Sequence, residues 1–111
     1  MNVDSEKRNR NYIVRIHEKR VDAANAGELK AYLAGLVEAG AKGLGVDMRS
    51  LEFLDSSGLG ALVSAKKGLG KEGKVVLWGL AESVKTLFEL TQLNKVFEIL
   101  DDEGDALSRL G

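Results

Sequence analysis

Few residues of this 111-residue chain combine the types and spacings that catalysis needs. There is one histidine, His17, and no cysteine. A Ser–His–acid relay would have to bring His17 to Ser56 or Ser57. The run Leu54-Asp55-Ser56-Ser57-Gly58 carries only the second glycine of the G-x-S-x-G elbow that exposes such a serine, so His17 reads as a partly exposed strand residue. Gly68-Leu69-Gly70-Lys71-Glu72-Gly73 matches G-x-G-x-x-G in its letters. A dinucleotide fingerprint follows a strand and opens a helix, because the helix amides hold the pyrophosphate. This run closes a helix and precedes a strand, which makes its glycines a helix stop and a turn. It is no Walker loop either, since Glu72 stands where a hydroxyl would bind magnesium. Without cysteine, thiolate metal sites are excluded, and one histidine among scattered carboxylates has no ligand spacing. None of these motifs supports a cofactor or metal site, and a serine hydrolase, the enzyme reading, has neither a complete elbow nor a second histidine behind it.

Asp55-Ser56-Ser57-Gly58-Leu59-Gly60 carries more information. Ser56 or Ser57 reads as a helix N-cap whose hydroxyl accepts a free amide of the first turn, with Asp55 complementing the dipole. The same place suits a regulatory phosphoacceptor, because helix amides and dipole favour an anion there. The two readings are compatible, since a capping hydroxyl can also be modified.

The elements that must hold this corner follow from periodicity. Met1–Arg8 reads as a weak strand and 9–11 as a polar turn. Tyr12, Val14 and Ile16 then alternate with Ile13, Arg15 and His17, the period of a second strand. From Ala23 the period lengthens: Ala26, Leu29, Leu33, Leu36 and Val37 line one helix face, and Gly40 is a plausible stop. Leu44, Val46 and Met48 mark a strand. Leu59, Leu62, Val63 and Leu69 are the stripe of the helix after Ser57, and Val75–Trp78 is a third central strand. Val84, Leu87 and Phe88 mark another helix, Val96–Leu100 a short edge strand, and Ala106, Leu107 and Leu110 a final helical turn or two. The order β-β-α-β-α-β-α-β-α predicts a single α/β domain over residues 1–111, with a mixed four- to five-stranded sheet. Arg15, His17, Gly45 and Asp47 occupy the second faces of their strands, so helices are expected mainly on one face, with the other left open.

Composition limits the partners. Lys plus Arg number 16 against 17 acids, a net charge of −1, without the basic excess a nucleic-acid binder needs. No apolar run approaches the ~20 residues of a membrane span, and the polar start MNVDSEKRNRN lacks a secretory core. A cytoplasmic protein with no nucleic-acid partner and no membrane insertion is expected, with the oligomeric state open.

Three segments carry a resemblance. Residues 46–62, ending Asp55-Ser56-Ser57-Gly58-Leu59-Gly60-Ala61-Leu62, resemble the core signature of STAS domains, specifically of anti-sigma factor antagonists. Residues 84–93, Val84-Lys85-Thr86-Leu87-Phe88-Glu89-Leu90-Thr91-Gln92-Leu93, are similar to a second stretch of that family, and Arg20-Val21-Asp22-Ala23-Ala24 to the loop before its first helix. The likeness spans roughly residues 11 to 107. It implies a STAS-like fold and a partner-switching mechanism. A partner anti-sigma factor that is also a serine kinase phosphorylates the serine after the aspartate, here Ser56. The unmodified antagonist binds that kinase and releases a sigma factor for transcription, and a serine phosphatase resets the switch. Asp22, Asp55 and Ser57 would flank the acceptor, and Gly58 would let a partner's backbone approach. The alternative is a STAS subunit or scaffold of a lipid-transport or stress-sensing complex. Lys19 stands where the family usually has glycine. If that glycine needs a positive φ, the turn here must differ.

Overall fold

The computed structural model describes all residues, 1–111. Strands β1 (Val3–Arg8) and β2 (Asn11–Ile16) form an antiparallel hairpin, turned at Asn9 with φ 57°. Asparagine tolerates that left-handed conformation better than most residues. β3 (Arg20–Val21) leads into α1 (Ala26–Glu38), and β4 (Gly43–Asp47) into β5 (Phe53–Leu54) and α2 (Ser56–Leu69). Then come β6 (Lys74–Trp78), α3 (Glu82–Leu90), a 3-10 turn at Leu93–Lys95, β7 (Glu98–Leu100) and α4 (Glu103–Leu110). The main sheet has the order β1-β2-β4-β6-β7, parallel except for the β1–β2 pair. The expected mixed α/β sheet is thus present in its five-stranded form.

Strand alternation divides the side chains between two faces. Val14, Ile16, Leu44, Val46, Val75 and Leu77 point to one side, where Leu29 and Leu33 of α1, Leu59 and Leu62 of α2, and Val84 and Phe88 of α3 complete the main core. Phe88 meets Phe97 edge-on, with ring centroids 5.6 Å apart, which ties α3 to the approach of β7. In α2, Leu59 and Leu62 are buried as expected, while Val63 and Leu69 pack on the margin and Ala61 and Ala65 complete the seam. Gly40, with φ 99°, follows the end of α1 where the stop was expected.

The second face is not left open, contrary to the sequence expectation. Ile13, Val76 and Trp78 form a smaller core there with Ala106 of α4, flanked by Leu107 and Leu110. Gly45 makes room for this helix: a Cβ on it would stand 3.0 Å from the Trp78 ring and 3.2 Å from Leu110. The alternation puts Gly45 on the polar side, but in the fold it is a slot for two large side chains. Trp78 is fully buried, and its indole N–H finds no hydrogen-bond partner. Three helices lie on one face and one on the other.

Candidate functional site

The corner around Ser56 rests on a second sheet of only two short strands. β3 and β5 pair in parallel, Arg20 opposite Phe53 and Val21 opposite Leu54. The Lys19 carbonyl accepts from the Glu52 and Phe53 amides at 2.7 and 3.1 Å, and the Asp55 amide donates to the Val21 carbonyl at 3.3 Å. Asp22 and Asp55 are the next residues of the two chains, so the register sets them side by side where each leads into a helix. Lys19 keeps a negative φ, because only Asn9 and Gln92 among non-glycine residues are positive. The turn therefore accepts lysine in place of the family's glycine.

Each aspartate accepts two hydrogen bonds just before or at a helix start. The Asp22 carboxylate accepts from the Ala24 amide at 3.0 Å and from Arg20 Nε at 3.1 Å. Those bonds, the Ala24 amide first, hold it below the usual carboxylate range. Its own amide donates to Asn25 Oδ1 at 2.9 Å, and its carbonyl accepts the Ala26 amide at 2.8 Å. Asp55 is the N-cap of α2, with φ −106° and ψ −173°, and accepts from the Ser57 and Gly58 amides at 2.9 and 3.1 Å. Here the structure corrects the sequence reading: the cap is Asp55, not Ser56 or Ser57. The carboxylate outcompetes the hydroxyls because it is an ionised acceptor one residue earlier, at the place where the chain is still extended. Ser56 and Ser57 are consequently the first two helical residues, exposed, with hydroxyls that no protein group engages.

Gly58 also departs from its expected role. It is buried, and a Cβ there would run into Leu54 and stand 3.1 Å from Val21. Its bareness lets α2 settle onto β3 and β5, so it serves packing within the fold. Gly60, like Gly27 across from it, is open to solvent, with no neighbour within 4 Å of a built Cβ. Both border a shallow groove of about 320 Å³ between the starts of α1 and α2, lined also by Ala23, Lys30, Ser57 and Ala61. Only the spacing of Gly60 from Ser56, one turn along the helix, could have singled it out.

Beside this corner Arg20 lies over the half-exposed Phe53, its guanidinium carbon 4.4 Å from the ring centroid. A separate polar cluster sits on the second sheet face. The Asp47 carboxylate receives Arg15 Nη1 at 2.9 Å, Arg49 Nη2 at 2.7 Å and the Arg49 amide at 3.0 Å, and Arg15 also holds Glu103 of α4 at 2.7 Å. Burial pushes the Asp47 carboxyl up, but the bonds from Arg49 and Arg15 together keep it below its ordinary value. With His17 and Ser50 these residues line a cleft of about 550 Å³. No helix of the molecule is long and apolar enough to cross a membrane.

Comparison with known proteins agrees with this architecture. The STAS domain model matches residues 2–106. The anti-sigma-B factor antagonist of Listeria monocytogenes is 34% identical over 94 residues, covering 77% of this chain and 82% of its own. Among solved structures, an anti-sigma factor antagonist from Mycobacterium paratuberculosis superposes with a TM-score of 0.88 at 25% identity, covering 98% of this chain and 92% of the other. SpoIIAA in its unphosphorylated form gives 0.81 at 19% identity, over 98% and 96% of the two chains. The phosphorylated form, described as a Bacillus cell fate determinant, gives 0.75 at 19% identity, over 99% and 100%.

Proposed function

The chain belongs to the STAS domain family, among the anti-sigma factor antagonists, and on that premise we propose that it is a protein-binding module switched by phosphorylation of Ser56. Unphosphorylated, it binds an anti-sigma factor that is also a serine kinase, and so frees a sigma factor for transcription. Phosphorylated, it lets go, and a serine phosphatase restores it. The protein works in the cytoplasm and catalyses nothing itself: the phosphoryl chemistry is the kinase's. The γ-phosphoryl group of ATP bonds to Ser56 Oγ as its bond to ADP breaks, and the hydroxyl proton passes to a base of the kinase.

The observation that carries this reading is the free Ser56 hydroxyl at the first helical position, released from capping duty by Asp55. An exposed, unbonded hydroxyl between two helix starts is open to a kinase without local unfolding. A phosphoserine adds about −1.5 to −2 charges at neutral pH. It joins Asp22 and Asp55, already adjacent by the register of β3 and β5. Like charges facing an interface cost several kcal/mol, so binding is lost with the fold intact. A relative above 30% identity that bears the antagonist name favours a sigma-factor partner over a transport or stress-sensing complex.

Incubation with the cognate kinase and ATP, read by mass spectrometry, is expected to place one phosphate on Ser56 and none on Ser57. Ser56→Ala blocks transfer and keeps kinase binding. Ser56→Asp weakens binding, less than phosphate does, because it adds one charge rather than nearly two. Phosphate on Ser57 alone, or equal kinase affinity of the two variants, refutes the switch.

A further inference from the structure

We propose that Arg20 is the intramolecular receiver of a phosphate on Ser56, and that phosphorylation draws its guanidinium away from Asp22 and the Phe53 ring. This rests on the reading of Ser56 as the acceptor and concerns where the new charge goes.

The α2 N-terminus cannot simply absorb the phosphate. Of the three amides at the start of α2, those of Ser57 and Gly58 already donate to Asp55, which leaves only that of Ser56 itself. A dianion at Ser56 therefore meets a carboxylate on its own helix cap and a second one, Asp22, on the neighbouring strand end. It must find a cation elsewhere. The charged groups around the corner are Lys19, Arg20 and Asp22 on the β3 side, Glu52 and Asp55 on the β5 side, and Lys30 on α1, in the groove beside Ser57.

Arg20 is the best prepared of the cations. Its Nε is held by Asp22 at 3.1 Å and its flat face by Phe53 at 4.4 Å, while Nη1 and Nη2 make no hydrogen bond. The side chain is 62% exposed. It leans forward from β3 onto Asp22, toward the end of the small sheet where the Asp55 amide meets the Val21 carbonyl and Ser56 begins α2. Arg20 Nε already reaches Asp22, which the register sets level with Asp55, the residue before Ser56, and neighbouring strands lie about 4.8 Å apart. A guanidinium edge binds phosphate through two parallel N–H bonds and prefers it to a singly charged carboxylate. Capture would uncover the Phe53 ring and withdraw a fixed cation from the surface a partner meets. The partner then sees a change of shape as well as of charge.

The test uses the full chain with phosphoserine installed at position 56 during translation, so that no kinase is needed. Phosphorus NMR titration reads the second ionisation of the phosphate, which is near 6 for free phosphoserine. It is expected about one unit lower in the wild-type background than in Arg20→Gln, the effect of an opposite charge in contact. Lys30→Gln should match the wild type, and circular dichroism checks that each variant is folded. Equal ionisation in wild type and Arg20→Gln overturns the proposal, as does a shift that follows Lys30 instead. Because the phosphate is placed synthetically, a kinase that modifies another residue would refute the switch reading without touching this result.

Discussion

The two polar clusters of this molecule use the same ingredients for opposite ends. Around Asp47 a buried carboxylate is gripped by side chains, Arg15 and Arg49, which also reach Glu103 and so clasp α4 to the sheet. Around Ser56 two carboxylates are gripped mainly by backbone amides at helix starts, those of Ala24, Ser57 and Gly58. Amides are fixed by the fold and need no partner side chain to hold them. The second arrangement therefore leaves the hydroxyls and one arginine edge unused at the surface. A grip mainly by guanidinium makes a joint, and a grip mainly by amides makes a platform.

Variants can separate the two. Leu62→Ala, which touches neither cluster, sets the upper end of the scale: a fully buried leucine of α2 should cost about 2–5 kcal/mol in denaturant unfolding. Asp47→Ala should follow at about 2–3 kcal/mol, less than a wholly buried pair because both guanidiniums reach water, with partner binding retained. Asp55→Ala removes an N-cap and should cost about 1 kcal/mol, yet lower the rate of Ser56 phosphorylation by more than that loss explains. A loss of Ser56 phosphorylation rate in Asp47→Ala as large as in Asp55→Ala would erase the distinction between joint and platform.

The smallest effect is a pH dependence. Asp47, Glu103 and Asp22 all ionise below their ordinary values in the fold. The unfolded chain therefore takes up protons first as pH falls. The stability these groups add is full above the unfolded carboxylate range near 4 and drains away as pH drops through their lower folded values. Glu103→Gln should flatten the acid limb of a stability–pH curve, measured by urea unfolding from about pH 5 to 2. An unchanged slope would mean that the Arg15–Glu103 pair contributes nothing to holding α4.

How much of this was legible beforehand depended on the length of each signal. The hairpin, α1, β4, α2, β6 and α3 each carry several apolar residues at one period, and the structure keeps them within a few residues. β3 and β5 are two residues each, too short for any period, and only their pairing explains why Asp22 and Asp55 meet. The cover on the second face was missed because an absent side chain at Gly45 looks like polarity in an alternating pattern, whereas in three dimensions it is space. Ser56 was placed correctly at a helix start, but the cap was assigned to the wrong residue. Sequence spacing cannot say which of three adjacent oxygen-bearing side chains reaches the free amides.

The lone tryptophan turns the molecule into its own instrument. Trp78 lies under α4 with an unpartnered indole N–H, on the side of the sheet away from Ser56. Its emission is set by whether water reaches that nitrogen, so it should redden when α4 peels away and stay dark to events at the phosphorylation corner. Fluorescence on the unlabelled chain would thus separate loosening of the C-terminal helix from engagement of a partner.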